Sequence, residues 1–433
     1  MPRCNATYKN GISFVGWSSR PGYERYFHPF PSVIDQHTTT AFYLSTFARR
    51  QGADVPAHPD RYFLSARLAH DKLGPLPDEN FPFAVEYGYH FDAHRLGEFL
   101  KEIGTARGVT HKTCRVDRVE QTADGYIAGL HTDADETISG DFFVDCSGFR
   151  GALIQDALGV GFRPYRENLF NDAAVVLPTD QAERIGTQTV STAMKYGWAW
   201  EIPLTHRNGN GYVYSSDFCT ADDAETELRA ALGLLDADIE ARHLKMKVGS
   251  VNEHWRKNCL AVGLSQGFIE PLEATALNLV CNTVEDFMNT WEADNFTDQG
   301  REGFNTRASG RFEAIRDYIV AHYILNTRDD SDYWRANRAH EHLSDTLKAV
   351  ISIWKGGKIL SQELQEQNIE SSYTASSWNC LFAGYGFYPP LRQTPIAEQA
   401  RTQLDVQAID EFIRRSAMNF RTQRELLDFD LPR

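Results

Sequence analysis

The chain has 433 residues, of which 42% are hydrophobic and 24% charged, a composition typical of a globular protein that buries a sizeable core. Its formal charge of −15 argues against nucleic acid or an anionic membrane as a partner, because phosphate binding needs an excess of Lys and Arg. The sequence shows no apolar run long enough to span a membrane and no signal-peptide pattern, so we expect neither membrane insertion nor secretion.

Cysteine usage indicates the cellular compartment. The seven cysteines are scattered and none forms a C-x-x-C pair, so the sequence predicts neither a disulfide framework nor a zinc site. The local cluster His340-Glu341-His342 is typical of a solvated helix surface. We therefore expect no metal and a reducing cytoplasm as the compartment.

The first third of the chain predicts mixed α/β structure. Alternation from Ile12 to Trp17 favours a strand. The apolar stripe that follows Asp92 indicates a helix, capped by Asp92 and ended by Gly108. Three strands are expected after this helix, at 113–120, 125–131 and 137–145.

The remainder of the chain changes from strands to helices. Residues 170–218 are rich in candidate strands, and helical spacing dominates from about residue 272. No G-x-G-x-x-G sequence follows a strand, so the usual pyrophosphate-binding turn of a dinucleotide fold is not predicted. The predicted fold class is α/β (α+β), with a mixed-sheet region at 1–290 and a mainly helical region at 291–433.

Three segments contain residues suited to chemistry. In Gly267–Leu277, a proline-led turn places Glu273 at the positive end of a predicted helix, whose first amides could bind an anion. In Gly197–Pro203, Trp198 and Trp200 lie on one face of a strand. The third segment contains Lys9. Each segment taken alone is most often ordinary structure: a helix start, a core pair and a surface lysine.

Together, the three segments identify a family resemblance. G-W-A-W-E-I-P at Gly197–Pro203 resembles the hallmark motif of flavin-dependent tryptophan halogenases, and F-I-E-P-L-E-A-T at 268–275 resembles their flavin- and halide-site helix. N-A-T-Y-K-N-G around Lys9 is similar to the segment that contains their catalytic lysine. Further similarity at Val144–Gly151 and Arg328–Trp334 extends the resemblance over nearly the whole chain.

The resemblance implies an FAD-dependent monooxygenase-like fold and an oxidoreductase that uses reduced FAD, oxygen and a halide (chloride or bromide). Hypohalous acid would reach Lys9, which either forms a haloamine or hydrogen-bonds the acid, and Glu273 would assist beside an electron-rich aromatic ring. We expect Lys9 and Glu273 to converge on one cavity. The other implied roles are flavin contacts for Val116, Asp145, Gly148, Leu264 and Leu277, halide binding for Thr275 and Ala276, and substrate or wall positions for His28, Phe30, Trp198 and Trp200.

The sequence departs from the family in three respects. Glycine is usual where Ala276 stands, so a positive φ there would strain the chain. The Tyr-Tyr pair and the Glu that hold free tryptophan are not found near Ser376–Gly384, so an indole, phenol, pyrrole or carrier-bound aromatic is as plausible a substrate. The nucleotide-binding βαβ unit expected before Lys9 is missing, and we expect the sequence to be incomplete on that side.

The implied partners are a separate flavin reductase and a small aromatic substrate, and a homodimer is one option for assembly. Two other functions are compatible with the same motifs. A flavin-dependent aromatic monooxygenase would insert oxygen on the same scaffold, and a non-catalytic relative would only bind flavin or aromatic molecules.

Overall fold

The computed structural model describes residues 1–369, 373–392 and 405–429. The chain forms two compact units that interleave along the sequence. The first unit comprises Met1–Gly104, Ala173–Leu244 and Ala321–Arg433, and the second comprises Thr105–Asp172 and Lys245–Val320.

A seven-stranded mixed sheet forms the centre of the first unit. The strands Gly11–Val15 and Thr189–Met194 pair in parallel, and the pairs that flank them are antiparallel. Val175, Leu177 and Tyr212 are fully buried on its strands and pack against the helix Ala221–Leu232. In spatial order the strands are β15 (Arg242–Lys245), β11 (Ala173–Thr179), β14 (Asn208–Tyr214), β13 (Gly197–Pro203), β12 (Thr189–Met194), β2 (Gly11–Val15) and β3 (Arg25–Pro29).

Two antiparallel strand pairs complete the β-structure described for the first unit. One joins β1 (Thr7–Lys9) to β5 (Gly88–His90), and the other joins β4 (Leu73–Pro77) to β20 (Phe420–Thr422). Both pairs bring together segments that are far apart in sequence. The strand predicted from Ile12 is confirmed as β2.

Ten of the described helices lie wholly or mainly in the first unit. The helix predicted after Asp92 is confirmed, since the Asp92 carboxylate accepts the amides of His94 and Arg95 at 3.1 and 3.2 Å, and Gly108 adopts φ +91°. The helices are α1 (Gln36–Arg50), α2 (Leu64–Asp71), α3 (Ala93–Ala106), α4 (Ala221–Leu232), α7 (Asp332–Arg338), α8 (Asp345–Lys355), α9 (Leu360–Glu366), α10 (Ala375–Gly384), α11 (Val406–Ala417) and α12 (Gln423–Phe429).

The second unit contains three small sheets and the helix α5 (Ala276–Ala293), together with most of α6 (Arg301–Leu325). The strands predicted at 113–120 and 125–131 are confirmed at Val116–Gln121 and Ile127–Thr132, whereas the one predicted at 137–145 is interrupted and contributes to two different sheets. The sheets are β6 (Val116–Gln121), β7 (Ile127–Thr132) and β8 (Thr137–Ile138); β17 (Trp255–Arg256), β18 (Cys259–Ala261) and β9 (Phe143–Asp145); and β10 (Phe162–Pro164), β16 (Gly249–Val251) and β19 (Gly267–Phe268).

The architecture confirms the predicted fold class, a mixed α/β protein with a helical C-terminal region. The predicted boundary at residue 290 falls inside α5, and the two-part functional division that it marks stays a prediction. Over the described residues, no helix has both the length and the apolar character that crossing a bilayer requires. The same residues show no group of three or more side chains placed to hold a metal ion.

Candidate active site

Lys9, the predicted catalytic amine, is buried with only 6% of its surface exposed, which is rare for a lysine. It ends β1 opposite Gly88 on β5. A Cβ added to Gly88 would lie 3.4 Å from the Phe30 ring and 4.0 Å from two carbons of the Lys9 stem. The Lys9 Nζ atom lies 5.8 Å from the centre of the Phe30 ring. The Lys9 stem and the Phe30 ring thus both lie within contact distance of the open side of Gly88.

Two polar side chains hold the backbone on either side of Lys9. Gln423, which is fully buried at the start of α12, accepts the Tyr8 amide and donates to the Tyr8 carbonyl, both at 3.0 Å. The Asn10 amide group donates to the Leu73 carbonyl at 2.9 Å and to the Thr187 hydroxyl at 3.0 Å. Neither residue was singled out from the sequence, because their partners are far away in the chain.

His90 lies on the same face of the β1–β5 pair as Lys9, since side chains alternate along a strand. The Thr7 hydroxyl donates its single proton to the Pro203 carbonyl at 2.7 Å. In its hydrogen bond with His90 Nδ1, 3.2 Å away, the hydroxyl oxygen must therefore be the acceptor. His90 Nε2 lies 2.9 Å from the Thr189 hydroxyl. Burial, and after it the charge of Lys9, lowers the pKa of His90 well below its usual value. A neutral imidazole with its proton on Nδ1 therefore stands beside the lysine.

The remaining residues predicted for the substrate region lie on strands of the same unit. His28 on β3 is 7% exposed, and its Nδ1 is hydrogen-bonded to the Tyr26 hydroxyl. Trp198 and Trp200 on β13 lie on one face as predicted, with ring centres 6.2 Å apart. The Trp200 ring covers Gly211 of β14 so closely that a Cβ there would overlap it.

In the second unit, Glu273 ends a short turn, Pro271–Glu273, directly before α5. The turn is anchored by Leu272, which is 1% exposed, while Glu273 is half-buried. The positive φ in this region falls on Ala274, with φ +54°, and Ala276 has helical backbone. The strain considered for Ala276 is therefore absent at that residue and resides at Ala274.

The halide site is predicted at the first turn of α5. The first intrahelical hydrogen bond of this helix runs from the Leu279 amide to the Thr275 carbonyl at 2.9 Å. The amides of Thr275 and Ala276 therefore have no acceptor within the helix and lie at its positive end. They border a cavity of about 220 Å³ that is also lined by Leu264, Phe268 and Leu277.

The cavity has properties that fit a flavin ring with a halide beside it. Leu264 and Leu277 are large apolar side chains that remain 40% and 52% exposed at this cavity. Gly148 has φ +76°, and a Cβ there would meet no atom within 4 Å, which leaves its backbone open to approach. Phe149, next in the chain, packs edge-on against Phe268 at 5.7 Å, so this glycine turn adjoins the cavity.

Asp145 supports the same region through its backbone and side chain. Its carbonyl accepts the Val262 amide at 3.0 Å, and its carboxylate accepts the amides of Ser147, Leu153 and Ile154 at 2.8–2.9 Å. The structure thus shows Asp145 shaping the loop, and its direct contact with flavin stays a prediction. Val116 lies on β6 in another sheet and is not among the residues that line the cavity.

Glu270 is a second carboxylate of the same motif. It is completely buried and accepts the Asn171 side-chain amide at 2.9 Å. If burial were the only criterion, Glu270 would be the predicted catalytic carboxylate. The similarity to the family motif instead predicts Glu273. Lys9 belongs to the first unit and Glu273 to the second, and their convergence stays a prediction.

Comparison with known sequences agrees with these motifs. The tryptophan halogenase family model matches residues 1–402. Tryptophan 6-halogenase SttH of Streptomyces toxytricini is 36% identical over 382 residues, which cover 82% of this chain and 72% of SttH. Tryptophan 7-halogenase RebH of Lentzea aerocolonigenes is 29% identical over 443 residues, which cover 95% of this chain and 81% of RebH.

Solved structures show the same relationship. The crystal structure of SttH aligns with a TM-score of 0.84 at 32% identity, over 99% of this chain and 86% of that one. BrvH, a flavin-dependent halogenase from Brevundimonas sp. BAL3, aligns with a TM-score of 0.83 at 30% identity, over 100% and 87% of the two chains. Flavin-dependent halogenases use reduced FAD and a halide. The chain therefore belongs to the tryptophan halogenase family.

Proposed function

We propose that this chain halogenates an electron-rich aromatic ring of the indole, phenol or pyrrole type, with Lys9 as the catalytic amine and Glu273 as the catalytic carboxylate. The observation that supports this most directly is the buried Lys9, with its Nζ atom 5.8 Å from the centre of the Phe30 ring and on the same strand-pair face as a neutral His90. Reduced FAD, when bound, supplies with oxygen the oxidising equivalent that converts halide to hypohalous acid.

The first unit provides the groups for halogen delivery. Lys9 Nζ has two candidate roles, to carry the halogen as a haloamine or to hydrogen-bond the hypohalous acid. The first role needs a neutral amine and the second the ammonium form. Phe30 and His28 supply a face for the substrate ring, and the Trp198–Trp200 pair forms a wall that restricts access of water.

The second unit provides charge and anion binding. The amides of Thr275 and Ala276 hold the halide, and Leu264, Leu277 and Gly148 hold the flavin. The Glu273 carboxylate stabilises positive charge on the halogenated ring and accepts its proton. We further propose flavin contacts for Asp145 and Val116, the latter supported only by its motif position.

The proposed substrate need not be free tryptophan, although the relatives SttH and RebH are named for tryptophan. The resemblance places the contacts to tryptophan's charged groups in the region of α10, and there this chain has core residues instead. Trp378 is 2% exposed and stacks on Phe382 at 5.7 Å. Helix α10 itself offers neither a carboxylate nor paired phenols for the two ends of an amino acid.

The test uses purified protein with FAD, a flavin reductase, NADH and bromide, and a panel of indole, phenol, pyrrole and L-tryptophan. We expect brominated indole, phenol or pyrrole, recognised by mass spectrometry from the two bromine isotopes. A product heavier by oxygen alone would instead support a monooxygenase. Absence of halogenation with every substrate would support a non-catalytic relative.

Two variants test the assigned residues. Lys9→Ala is expected to abolish product, and Glu273→Gln to lower kcat by about 10²–10⁴-fold. Glu270→Gln is the companion variant, because it tests whether the more buried carboxylate is the functional one. Undiminished halogenation by Lys9→Ala would refute the mechanism.

We also propose a separate flavin reductase as partner and the cytoplasm as compartment. The seven cysteines are all free thiols, which supports a reducing environment. The homodimer option is tested by size-exclusion chromatography with light scattering.

A further inference from the structure

His90 is the first side chain on the Lys9 face of strand β5. Lys9 pairs with Gly88, which has no side chain, and the next position of β5 on that face is His90, the partner of Thr7. Diagonal neighbours on one face of an antiparallel pair lie about 7–8 Å apart, within reach of a lysine side chain. The imidazole ring is therefore the diagonal neighbour of the Lys9 side chain on this face.

The ring takes part in two of three consecutive hydrogen bonds. The Thr7 hydroxyl donates to the Pro203 carbonyl at 2.7 Å, His90 Nδ1 donates to the Thr7 hydroxyl at 3.2 Å, and the Thr189 hydroxyl donates to Nε2 at 2.9 Å. Each of the three side chains is at most 8% exposed. Every ring nitrogen thus has one partner, and the direction of each bond is fixed by the carbonyl at its end.

These hydrogen bonds connect the lysine strand with the central sheet. Thr7 lies two residues before Lys9, Pro203 ends β13, and Thr189 begins β12. Strand β13 also contains the Trp198–Trp200 pair. The ring therefore connects the lysine strand to β12, which pairs with the strand that contains the two tryptophans.

We propose that His90 is a positioning residue for halogen transfer, which holds Lys9 in register with β12 of the central sheet so that the halogen is passed to the substrate ring and not released. The inference deepens the proposed function and rests on it, since it requires hypohalous acid to reach Lys9. A displacement of about 1 Å at a reacting group lowers a rate by about 10²-fold. Loss of the ring should therefore lower transfer while oxidant production continues.

The experiment measures how the oxidant divides between product and leakage. The full chain is run with FAD, flavin reductase, NADH, bromide and indole, with catalase to remove peroxide and methionine amide to trap free hypobromite as the sulfoxide. In His90→Leu, we expect brominated indole to fall by about 10–100-fold and the sulfoxide to rise, with the KM for indole changed less than threefold. In His90→Gln, which keeps one donor and one acceptor, product should stay within about threefold of wild type.

A matched control separates positioning from loss of stability. His322 is a second buried histidine of the first unit, and its Nδ1 is hydrogen-bonded to the Tyr385 hydroxyl at 2.9 Å. His322→Leu removes a buried imidazole in the same way but far along the chain from β1 and β5. Thermal unfolding should show a loss of stability in both leucine variants, whereas only His90→Leu should increase leakage.

A second pair of variants keeps the test valid if His90→Leu does not fold. Thr189→Val removes the hydroxyl that donates to Nε2 and keeps the side-chain shape, and Thr189→Ser restores the hydroxyl. We expect increased leakage from the valine variant and a return towards wild type in the serine variant. Equal leakage from these two variants would overturn the inference.

The outcomes also distinguish this inference from the proposed function. If wild-type protein brominates indole but His90→Leu and His322→Leu leave the ratio of product to sulfoxide unchanged, the inference is wrong and the proposed function stands. If His90→Gln leaks as much as His90→Leu, the hydrogen bonds are not the cause and the inference is also wrong. If wild-type protein brominates nothing, the proposed function fails and the inference fails with it.

Discussion

Gly211 and Gly209 lie on the same face of β14 but differ in their neighbours. A Cβ at Gly211 would overlap the Trp200 ring, whereas at Gly209 it would meet the end of the flexible Arg207 side chain at 3.2 Å and the Ile202 carbonyl at 3.8 Å. A glycine is thus required under Trp200 for the tryptophan wall to keep its shape. The position of Trp200 in the motif Gly197–Pro203 therefore depends on Gly211, which lies outside the motif.

Gly211→Ala should displace Trp200 and destabilise the protein by about 1–3 kcal/mol, because extra volume in a packed site forces neighbours to shift. Halogenation should fall at the same time. Urea unfolding and near-UV circular dichroism measure the two structural effects, and Gly209→Ala serves as the control. Equal behaviour of the two variants would contradict this account.

Ala274 holds a left-handed backbone conformation with an exposed side chain, so its substitution tests conformation almost without packing. Ala274→Val should lower the free energy of unfolding by about 1 kcal/mol or more, because a β-branched residue fits this region poorly. Ala274→Gly should not lower it. Chemical denaturation of the two variants measures the difference, and a Val variant as stable as the Gly variant would exclude strain here.

At the scale of elements, the lysine strand β1 depends on helix α12. The buried Gln423 makes two hydrogen bonds to Tyr8 and a third to the Gly186 carbonyl at 2.7 Å. Each backbone group left without its partner in a buried site costs about 1–3 kcal/mol. The position of Lys9 is therefore stabilised by an element that lies very far from it in sequence.

Gln423→Met keeps the side-chain length but removes the hydrogen bonds. We expect a loss of about 2–4 kcal/mol in the free energy of unfolding and a lower kcat for halogenation. Thermal unfolding and steady-state rates measure both. The adjacent Arg424→Ala is the control, since Arg424 is exposed on the same helix. Retention of full stability in Gln423→Met would show that the hydrogen bonds of Gln423 do not stabilise the folded protein.

The local elements were predictable from the sequence where local chemistry determines them. Helix α3 has its cap in Asp92 and its end at Gly108, and the tryptophan pair follows from strand alternation. The lysine environment was not predictable, because His90 and Gln423 reach the lysine strand only through pairing of distant segments.

The backbone conformation of the turn before α5 was likewise not predictable from the sequence. A positive φ was considered for Ala276 on the strength of a family glycine, whereas the structure places it at Ala274. The turn also contains the buried Leu272, whose neighbours cannot be read from the local sequence. The motif thus indicates the function of the turn but not its backbone.

At the scale of the whole molecule, stability should depend on pH through buried histidines. His254 is completely buried, and burial, followed by the charges of Arg163 and Arg311, lowers its pKa from 6.5 to about 4. The unfolded chain binds the proton near pH 6.5, whereas the folded protein binds it only near pH 4. The free energy of unfolding therefore falls as the pH drops through this window.

Between pH 7 and pH 5, His254 should account for a loss of about 2 kcal/mol. His254→Gln should reduce this pH dependence by that amount, whatever its effect on stability at pH 7. Urea unfolding at the two pH values measures it, with the exposed His111→Gln as control. An unchanged difference between pH 7 and pH 5 in His254→Gln would contradict the assignment.

The bond between Tyr8 and Gln423 spans 415 residues and sets an order of events during synthesis. A ribosome adding about 5–20 residues per second reaches Gln423 roughly 20–80 s after Tyr8. Throughout that interval the strand that contains Lys9 lacks its hydrogen bonds to Gln423. The surroundings proposed for halogen transfer at Lys9 are therefore completed only when nearly all of the chain has been made.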